Sequence, residues 1–450
     1  MYSHKNILAV VLCCLFVILL YTFRGLIIDD AYITFNYAKN FATHFKPWYN
    51  LDPEFQGNGQ TSLLWMWILA FFQLIGIKPE ISFYFINAAL GCFLISQFVK
   101  STFYISKKDI IGSFFYVALL SFFTYWLSLN ASHGLETLLA GVLLYLFIKS
   151  WDKSYNYYAL LLVLVRPEFA LFNVVWVLDS QFFSKAFFRK IAFSAAGFLI
   201  FASYYLVYFD FYIPLPLLLK SNFSSYSFAG IKVFIGYALV FSPIIYYYIK
   251  NKKYVEISPL VFLLFYYTFN VNSYSSGIYI RYLFPLMVYF FFIKIDKALI
   301  FRILMALSVL RMGDLSFNFY EHTLGILDDN QGFEKSYGKI AKELTSRDRI
   351  LVFDAGYTAY FTQAITYDGL GLNDATLLMA IRNKDCKTYH DYLERKNINY
   401  ITLGSSTKTK FTARVEAERL VHDCLGLQNP TTIYDLYSGY YLFVYKVKIE

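Results

Sequence analysis

Apolar runs long enough to cross a lipid bilayer recur between residue 7 and about residue 312 of this 450-residue chain. A membrane-spanning helix needs about 20 consecutive apolar residues, so the repetition predicts a multi-span membrane protein. Composition agrees, because 58% of the residues are hydrophobic and only 16% are charged, whereas charged residues make up about a quarter of a typical soluble domain. These features exclude an ordinary cytosolic enzyme and a disordered protein.

The charges divide the chain into two parts. Residues 1–312 carry 24 Lys and Arg against 13 Asp and Glu, whereas residues 313–450 carry 16 against 18. The basic excess belongs to the apolar part, where it reports membrane orientation and not nucleic-acid binding. We therefore predict a polytopic all-α membrane domain over residues 1–312, with a first outer loop at 29–80, and a soluble α/β domain over residues 313–450.

The sequence predicts three strands in the soluble domain, at Arg349–Phe353, Tyr400–Leu403 and Tyr440–Lys446, the last two with bulky apolar residues. Helices are predicted at Ser336–Leu344 and Tyr389–Lys396. Two of the five cysteines also lie in this domain, at positions 386 and 424. They could pair if the domain lies outside the cytoplasm, because disulfides form and persist in oxidising compartments.

Lysine clusters set the predicted orientation, because cytoplasmic loops are enriched in Lys and Arg. Placing every cluster inside gives ten to eleven segments, a retained first span at Ile7–Ile28 and an exported C-terminal domain. On this topology Ser405 is outside and Lys252 inside. The run at residues 157–178 contains the sequence Arg-Pro-Glu at 166–168, and proline disfavours helix for its predecessor. This run is therefore predicted to form two short segments that meet at the break.

Acidic and basic side chains from separate segments collect at the outer face in this topology. They are Asp29, Asp30, His133, Glu136, Arg166, Glu168, Lys220 and Arg281. A carboxylate can serve as a general base, and Arg or Lys can hold a phosphate, so the set is typical of an active site for a charged, lipid-linked substrate. Simpler readings stay open: Asp29 and Asp30 could be a solvated span end, and Arg281 an interfacial anchor.

Several motifs resemble the GT-C membrane glycosyltransferases, in particular the terminal arabinofuranosyltransferases of the mycobacterial cell wall. The first outer loop carries the resemblance at residues 29–40 (DDAYITFNYAKN) and 61–65 (TSLLW). Further matches in the same order are HGLE at 133–136, VRPE at 165–168, YIP at 212–214 before Lys220, DAG at 354–356 and DGLGLND at 368–374. The chain departs from the family pattern at Asn36, Lys39, Asn58 and His133, so the family's donor sugar need not carry over.

The resemblance implies transfer of a sugar from a polyprenyl-phosphate donor to an envelope glycan or glycolipid acceptor, usually with inversion. The reaction would occur on the outer face of the bacterial cytoplasmic membrane, and the expected partners include the lipid bilayer but no nucleic acid. Asp29 would be the base and Asp30 a positioning group, or the reverse. The remaining candidate donor-phosphate and substrate-binding residues are Arg166, Glu168, Lys220, Arg281, His133, Glu136, Tyr37, Lys39 and Thr61.

No zinc spacing and no Gly-rich phosphate loop occurs in the sequence, and no cofactor is called for. A divalent cation would be compatible with the carboxylates but is not required. Three alternatives to the transferase remain: a transporter or flippase for a lipid-linked sugar, a non-catalytic membrane scaffold, and a glycan ligase or polymerase of similar architecture. Inverted internal repeats would favour the transporter, and none is visible.

Overall fold

The computed structural model describes residues 2–52, 58–102, 109–209, 214–216, 228–270, 280–294, 298–437 and 439–447. The chain is mostly helical, with a small sheet in its C-terminal part. It divides into two compact units. The helical unit comprises residues 1–26, 83–201 and 220–324, and the sheet unit comprises residues 27–82, 202–219 and 325–450.

Helices occupy the chain from its first described residues to the region just before the last two strands. In chain order they are α1 Tyr2–Thr22, α2 Asp29–His44, α3 Leu63–Leu74, α4 Pro79–Thr102, α5 Ile110–Ser132, α6 Thr137–Lys149, α7 Tyr157–Val165, α8 Ala170–Leu178, α9 Lys185–Tyr208, α10 Phe228–Lys250, α11 Tyr254–Asn270, α12 Ile280–Leu283, α13 Leu299–Glu343, α14 Tyr357–Phe361, α15 Ala375–Asn383, α16 Cys386–Arg395 and α17 Glu416–Cys424. Short 3₁₀ helices add Pro167–Phe169 and Phe284–Phe291.

Among the described residues, four helices are long and apolar enough to cross a membrane: Lys5–Thr22, Pro79–Ser101, Ile110–Ser132 and Lys185–Tyr208. Shorter apolar helical stretches of 10–17 residues include Leu63–Leu74, Thr137–Lys149 and Phe234–Lys250. The predicted segment at residues 282–293 is mostly a 3₁₀ helix, Phe284–Phe291, whose residues are all buried. At about 2.0 Å per residue it extends roughly 16 Å, which is about half the thickness of the hydrocarbon layer.

The predicted break at residues 166–168 is confirmed. α7 ends at Val165, Arg166 is extended with φ −151° and ψ 110°, and a 3₁₀ turn leads from Pro167 into α8. The extended residue is the one that proline restricts most strongly. The break therefore places two charged side chains between two short helices instead of inside one long helix.

Aromatic rings form much of the core of the helical unit. Phe98 stacks on Phe123 with ring centroids 5.1 Å apart, and Phe291 meets both rings edge-on at 5.0 and 5.3 Å. Edge-to-face and offset pairs are the favoured aromatic geometries. They fix the buried 3₁₀ helix against α4 and α5.

The sheet unit contains five strands: β1 Arg349–Val352, β2 Ile365–Asp368, β3 Tyr400–Ser405, β4 Thr432–Tyr437 and β5 Tyr440–Lys446. The strand order is β2-β1-β3-β5-β4, in which β1 is parallel to both neighbours and β5 is antiparallel to both of its own. The three predicted strands and both predicted helices of this region are confirmed, whereas β2 and β4 were not predicted from the sequence.

The sheet unit also includes the first loop region, because residues 27–82 pack with the C-terminal residues. α13 runs without a break through residues 312 and 313, where the sequence suggested a domain boundary. Cys386 and Cys424 form a disulfide with their Cα atoms 5.1 Å apart, which joins the start of α16 to the end of α17.

Two positions chosen from the sequence for topology mapping prove unsuitable in the structure. Ser405 is fully buried within β3, so a cysteine there would be hidden from any reagent. Lys252 has a φ of 58°, a left-handed conformation that is strained for most residues. Exposed neighbours, Thr409 and Lys250, avoid both problems.

We predict that an impermeant maleimide added from outside labels Thr409→Cys and spares Lys250→Cys until the membrane is permeabilised. Cys13, Cys14 and Cys92 are replaced by serine beforehand, while the paired Cys386 and Cys424 are left in place because a disulfide does not react. Labelling of Lys250→Cys in intact cells, or none of Thr409→Cys, would contradict the predicted orientation.

Candidate functional site

Asp29, the first residue of α2, docks on the loop that follows β1. Its Oδ1 accepts the Tyr357 N–H at 2.8 Å, and its Oδ2 accepts the Gly356 N–H at 3.1 Å. These amides lie at the start of α14, where N–H groups have no partner within the helix. The side chain is half-buried, so the sheet unit holds this carboxylate in a fixed orientation.

The docking position is the carboxyl edge of the parallel strands. The chain leaves β1 toward β2 on one side, and β3 lies on the other side of β1. In open α/β sheets, this switch point is where ligands usually bind. Here, the first turn of α2 is bonded to it through Asp29.

Gly356 permits this close approach. A Cβ atom on residue 356 would lie 1.9 Å from the backbone oxygen of Asp29, far inside any van der Waals contact. The glycine of the DAG sequence at residues 354–356 therefore has a steric explanation, because a side chain at this position would collide with the backbone of Asp29 at the start of α2.

Burial raises the pKa of Asp29 to about 8, and the carboxylate of Asp354 acts in the same direction. The Tyr357 N–H lowers this pKa, Asp30 raises it and the Gly356 N–H lowers it, each by less than burial does. At neutral pH the Asp29 carboxyl therefore holds a proton much of the time. Asp30 itself is exposed.

Asp354 is surrounded by phenolic hydroxyls. Tyr337 donates to its Oδ2 at 2.5 Å, and the Tyr440 hydroxyl donates to the same oxygen. Glu418 lies near this group: it accepts the Gly404 N–H at 2.7 Å, and burial raises its pKa to about 7. Asp29, Asp354 and Glu418 thus form what we call the carboxylate cluster of the sheet unit.

The DGLGLND sequence at residues 368–374 forms a loop that contacts the segment between residues 29 and 80. Asp368 accepts the backbone N–H of Asn373 at 2.9 Å and its side-chain amide at 2.8 Å. Tyr37 donates its hydroxyl to Asn373 at 3.0 Å and accepts the Gly59 N–H at 3.0 Å. Tyr37 is fully buried, so its contacts are those of a structural residue that joins the two loops.

The other two first-loop candidates lie at the surface. Lys39 is exposed, and its Nζ is 3.4 Å from the backbone oxygen of Tyr360. Thr61 is half-buried, two residues before α3 begins. Both belong to the same unit as Asp29.

A second group of predicted residues lies in the helical unit, around Arg166. Arg166 Nη2 is 2.9 Å from Glu136 Oε1 and its Nε donates to the same oxygen at 3.0 Å, whereas Glu168 is 3.6 Å away. Arg166 is only 4% exposed. The shortest ion pair of Arg166 is thus with Glu136, 30 residues earlier, and the pair with Glu168 is longer.

Tyr282 brings Arg281 into the same group. The guanidinium carbons of Arg166 and Arg281 lie 5.2 and 5.0 Å from the centroid of the Tyr282 ring, within cation–π range. Glu168 accepts the Tyr267 hydroxyl at 3.1 Å. We call Arg166, Arg281, Glu136, Glu168 and Tyr282 the arginine cluster.

Two further predicted residues complete the comparison. His133 is buried at the end of α5, directly before the turn that leads to Glu136. Lys220 lies outside the described residues, as do Tyr212 and Ile213.

Sequence reasoning missed the partners Tyr267, Tyr337 and Glu418, because nothing in their local sequence distinguishes them from ordinary core residues. Across the described ranges, no group of three His, Cys, Asp or Glu side chains could hold a metal ion.

Comparison with known families covers only the C-terminal part. Residues 326–445 match the model of a family described as a domain of unknown function (DUF8728). The match spans the end of α13 and the five strands, so it shows a similarity of the sheet region without an activity. No curated protein matches the chain.

We predict that Gly356→Ala destabilises the protein by about 1–3 kcal/mol, the usual cost of inserting a methyl group into a packed site. The new Cβ would push the loop away from Asp29. Thermal unfolding of the full chain in detergent measures the effect. Gly338→Ala is the control, since a Cβ there meets nothing within 4 Å. Equal melting temperatures for Gly356→Ala and wild type would contradict the docking.

A second prediction concerns the arginine cluster. Arg166→Met alone leaves Glu136 buried without its cation and should cost about 3–5 kcal/mol, whereas Arg166→Met with Glu136→Gln should recover most of that loss. Arg302→Met is a matched control, because Arg302 is also paired in this unit, at 3.0 Å from both oxygens of Asp109.

Donor affinity of the folded double variant then separates the two roles of the cluster. Loss of affinity for a polyprenyl-phospho-sugar, with normal affinity in Arg302→Met, is expected if the cluster holds the phosphate. Normal affinity in the double variant would assign Arg166 a structural role.

Proposed function

We propose that this protein is a membrane glycosyltransferase that moves a sugar from a polyprenyl-phosphate donor to an envelope glycan acceptor outside the cytoplasm. The observation that supports this most is the state of Asp29. Its carboxylate has a fixed orientation, and its pKa is raised to about 8. A general base is most effective when its pKa lies close to the pH at which the enzyme operates.

The chemistry requires a base because the acceptor hydroxyl must lose its proton as it attacks the sugar. An ionised carboxylate has about four lone-pair sites, and two backbone N–H groups occupy two of them. The remaining sites on Asp29 can accept the hydroxyl proton. Asp30, on the next position of α2, is exposed and would position the acceptor.

The departing lipid phosphate develops negative charge, which arginine can stabilise. The arginine cluster of the helical unit contains two such side chains, Arg166 and Arg281. Both guanidinium groups are candidates for contact with a phosphate, and Arg166 is also paired with Glu136. Arg166 would then orient Tyr282, which both guanidinium groups face.

Two observations support a location in the membrane with the sheet unit exported. Four helices of the described chain have the length and composition of membrane spans. The disulfide between Cys386 and Cys424 lies in the sheet unit, and structural disulfides are rare in the reducing cytosol.

The direct test is transfer by the purified chain reconstituted in liposomes with synthetic polyprenyl-phospho-sugars. Asp29→Asn keeps the shape of the side chain and removes the base, so transfer should fall by about 10²–10⁴-fold. Asp423→Asn, an exposed aspartate in the same unit, is the control. If the double variant Asp29→Asn with Asp30→Asn retains more than about a tenth of the wild-type rate, the rate has fallen by less than the loss of a general base predicts. In that case the base is elsewhere. Movement of the donor across the bilayer without transfer would identify a flippase instead.

The pKa of Asp29 predicts the pH dependence of transfer. A base must be deprotonated, so the rate should rise with pH and reach half its maximum near pH 8. Asp354→Asn removes a like charge that raises this pKa, and the asparagine oxygen still accepts from Tyr337. The midpoint should therefore move to lower pH in Asp354→Asn and stay in place in Asp423→Asn. An unchanged or higher midpoint in Asp354→Asn would contradict the assignment.

A further inference from the structure

The sheet unit contains a cavity of about 380 Å³ beside α2, separate in position from the Asp29 contact. One wall is a face of α2, and the other is formed by the loop before β2 and by β2 itself. The lining of the cavity includes Asn36, Lys39, Asn40, His44, Tyr49 and Gln363.

The α2 wall is built from residues at helical spacing. The wall consists of Asn36 and of the residues three, four and eight positions after it, which are Lys39, Asn40 and His44. This spacing puts the four side chains on one side of the helix. The position of the wall follows from the helical rise of 1.5 Å per residue: Asn36 is roughly 10 Å along the helix axis from Asp29, and His44 roughly 22 Å. The cavity is therefore beyond direct reach of the carboxylate cluster.

Buried amides give the wall a fixed hydrogen-bonding pattern. Asn36 donates to the backbone oxygen of Tyr49 at 2.5 Å, and Asn40 donates to the backbone oxygen of Trp48 at 2.9 Å. Both side chains are more than nine-tenths buried. Because the amide nitrogens are used in this way, the amide oxygens are the groups through which Asn36 and Asn40 can accept from a ligand.

The cavity also offers donors and an apolar strip. Lys39, His44 and Gln363 can donate, while Tyr49, Ile365 and two alanines provide carbon surface. The cavity volume equals that of roughly a dozen water molecules at about 30 Å³ each. A whole hexose has a comparable number of heavy atoms. Donors, acceptors and apolar surface around one small cavity match the hydroxyls and C–H face of a sugar.

The charge of the wall favours an acidic ligand. Lys39 and His44 line the cavity, and its lining among the described residues includes no carboxylate. The Glu80 carboxylate interacts electrostatically with Lys39, but Glu80 does not line the cavity. An acidic group on the sugar would gain a charge-assisted hydrogen bond from Lys39.

We propose that this cavity is a saccharide-binding site that prefers a sugar carrying a carboxylate or another acidic group. Sugar binding here can be measured apart from transfer, since the cavity shares no residue with the carboxylate cluster or the arginine cluster, whereas its role in glycan selection rests on the proposed function. It would hold a sugar unit at a distance from Asp29 and thereby select which glycan the sheet unit engages.

Binding of a defined sugar panel to the purified full chain in detergent tests the site. The panel is methyl glucoside, methyl galactoside and methyl mannoside with the matching glucuronide and galacturonide, measured by saturation-transfer NMR and competition. Lys39→Met should weaken uronide binding by about tenfold or more with little effect on the neutral glycosides. Gln363→Trp should fill the cavity mouth and abolish binding of both classes.

Controls separate this site from the proposed reaction. Lys46→Met removes an exposed lysine near α2 that stacks on Trp48 outside the cavity lining, and it should bind the panel normally. Asp29→Asn should also bind normally even where transfer is lost. No binding by any panel member, equal affinity for neutral and acidic sugars, or retained binding in a folded Gln363→Trp variant would overturn the proposal.

Discussion

Two hydrogen bonds to one carboxylate hold the first loop of this protein to its C-terminal sheet. The Gly356 and Tyr357 amides donate to Asp29, and the missing side chain of Gly356 lets the two backbones meet. Tyr37 forms a second attachment through Asn373, further along α2. With its start and its middle fixed, α2 becomes part of the sheet unit although more than 300 residues separate the partners.

This attachment has an electrostatic cost that a purely structural contact would avoid. Asp29 lies near Asp354, and its pKa is raised by burial and by that like charge. An aspartate in the first turn of a helix gains only about 0.3–1 kcal/mol from the helix dipole. Buried carboxyls with raised pKa values are concentrated at functional sites, which is why we interpret Asp29 as the base and not only as an anchor.

The sequence predicted features that depend on local chemistry. Proline marked the break at Arg166, bulky apolar residues marked β3 and β5, and the two C-terminal cysteines were recognised as a conditional pair. β2 was missed because four residues, ITYD, give too short a pattern. Long-range partners were missed for a different reason: the choice of Glu136 over Glu168 for Arg166 depends on how α6 packs against α7, which no local spacing encodes.

Hydrogen–deuterium exchange at the peptide covering residues 354–361 tests the central attachment most directly. In the wild-type chain the Gly356 and Tyr357 amides should exchange slowly, because both are bonded to Asp29. In Asp29→Ala, exchange in this peptide should accelerate by at least about tenfold, as expected for the loss of hydrogen bonds to a charged group. Peptides from β3 and β5 should stay unchanged. Equal protection of residues 354–361 in Asp29→Ala and wild type would contradict the account.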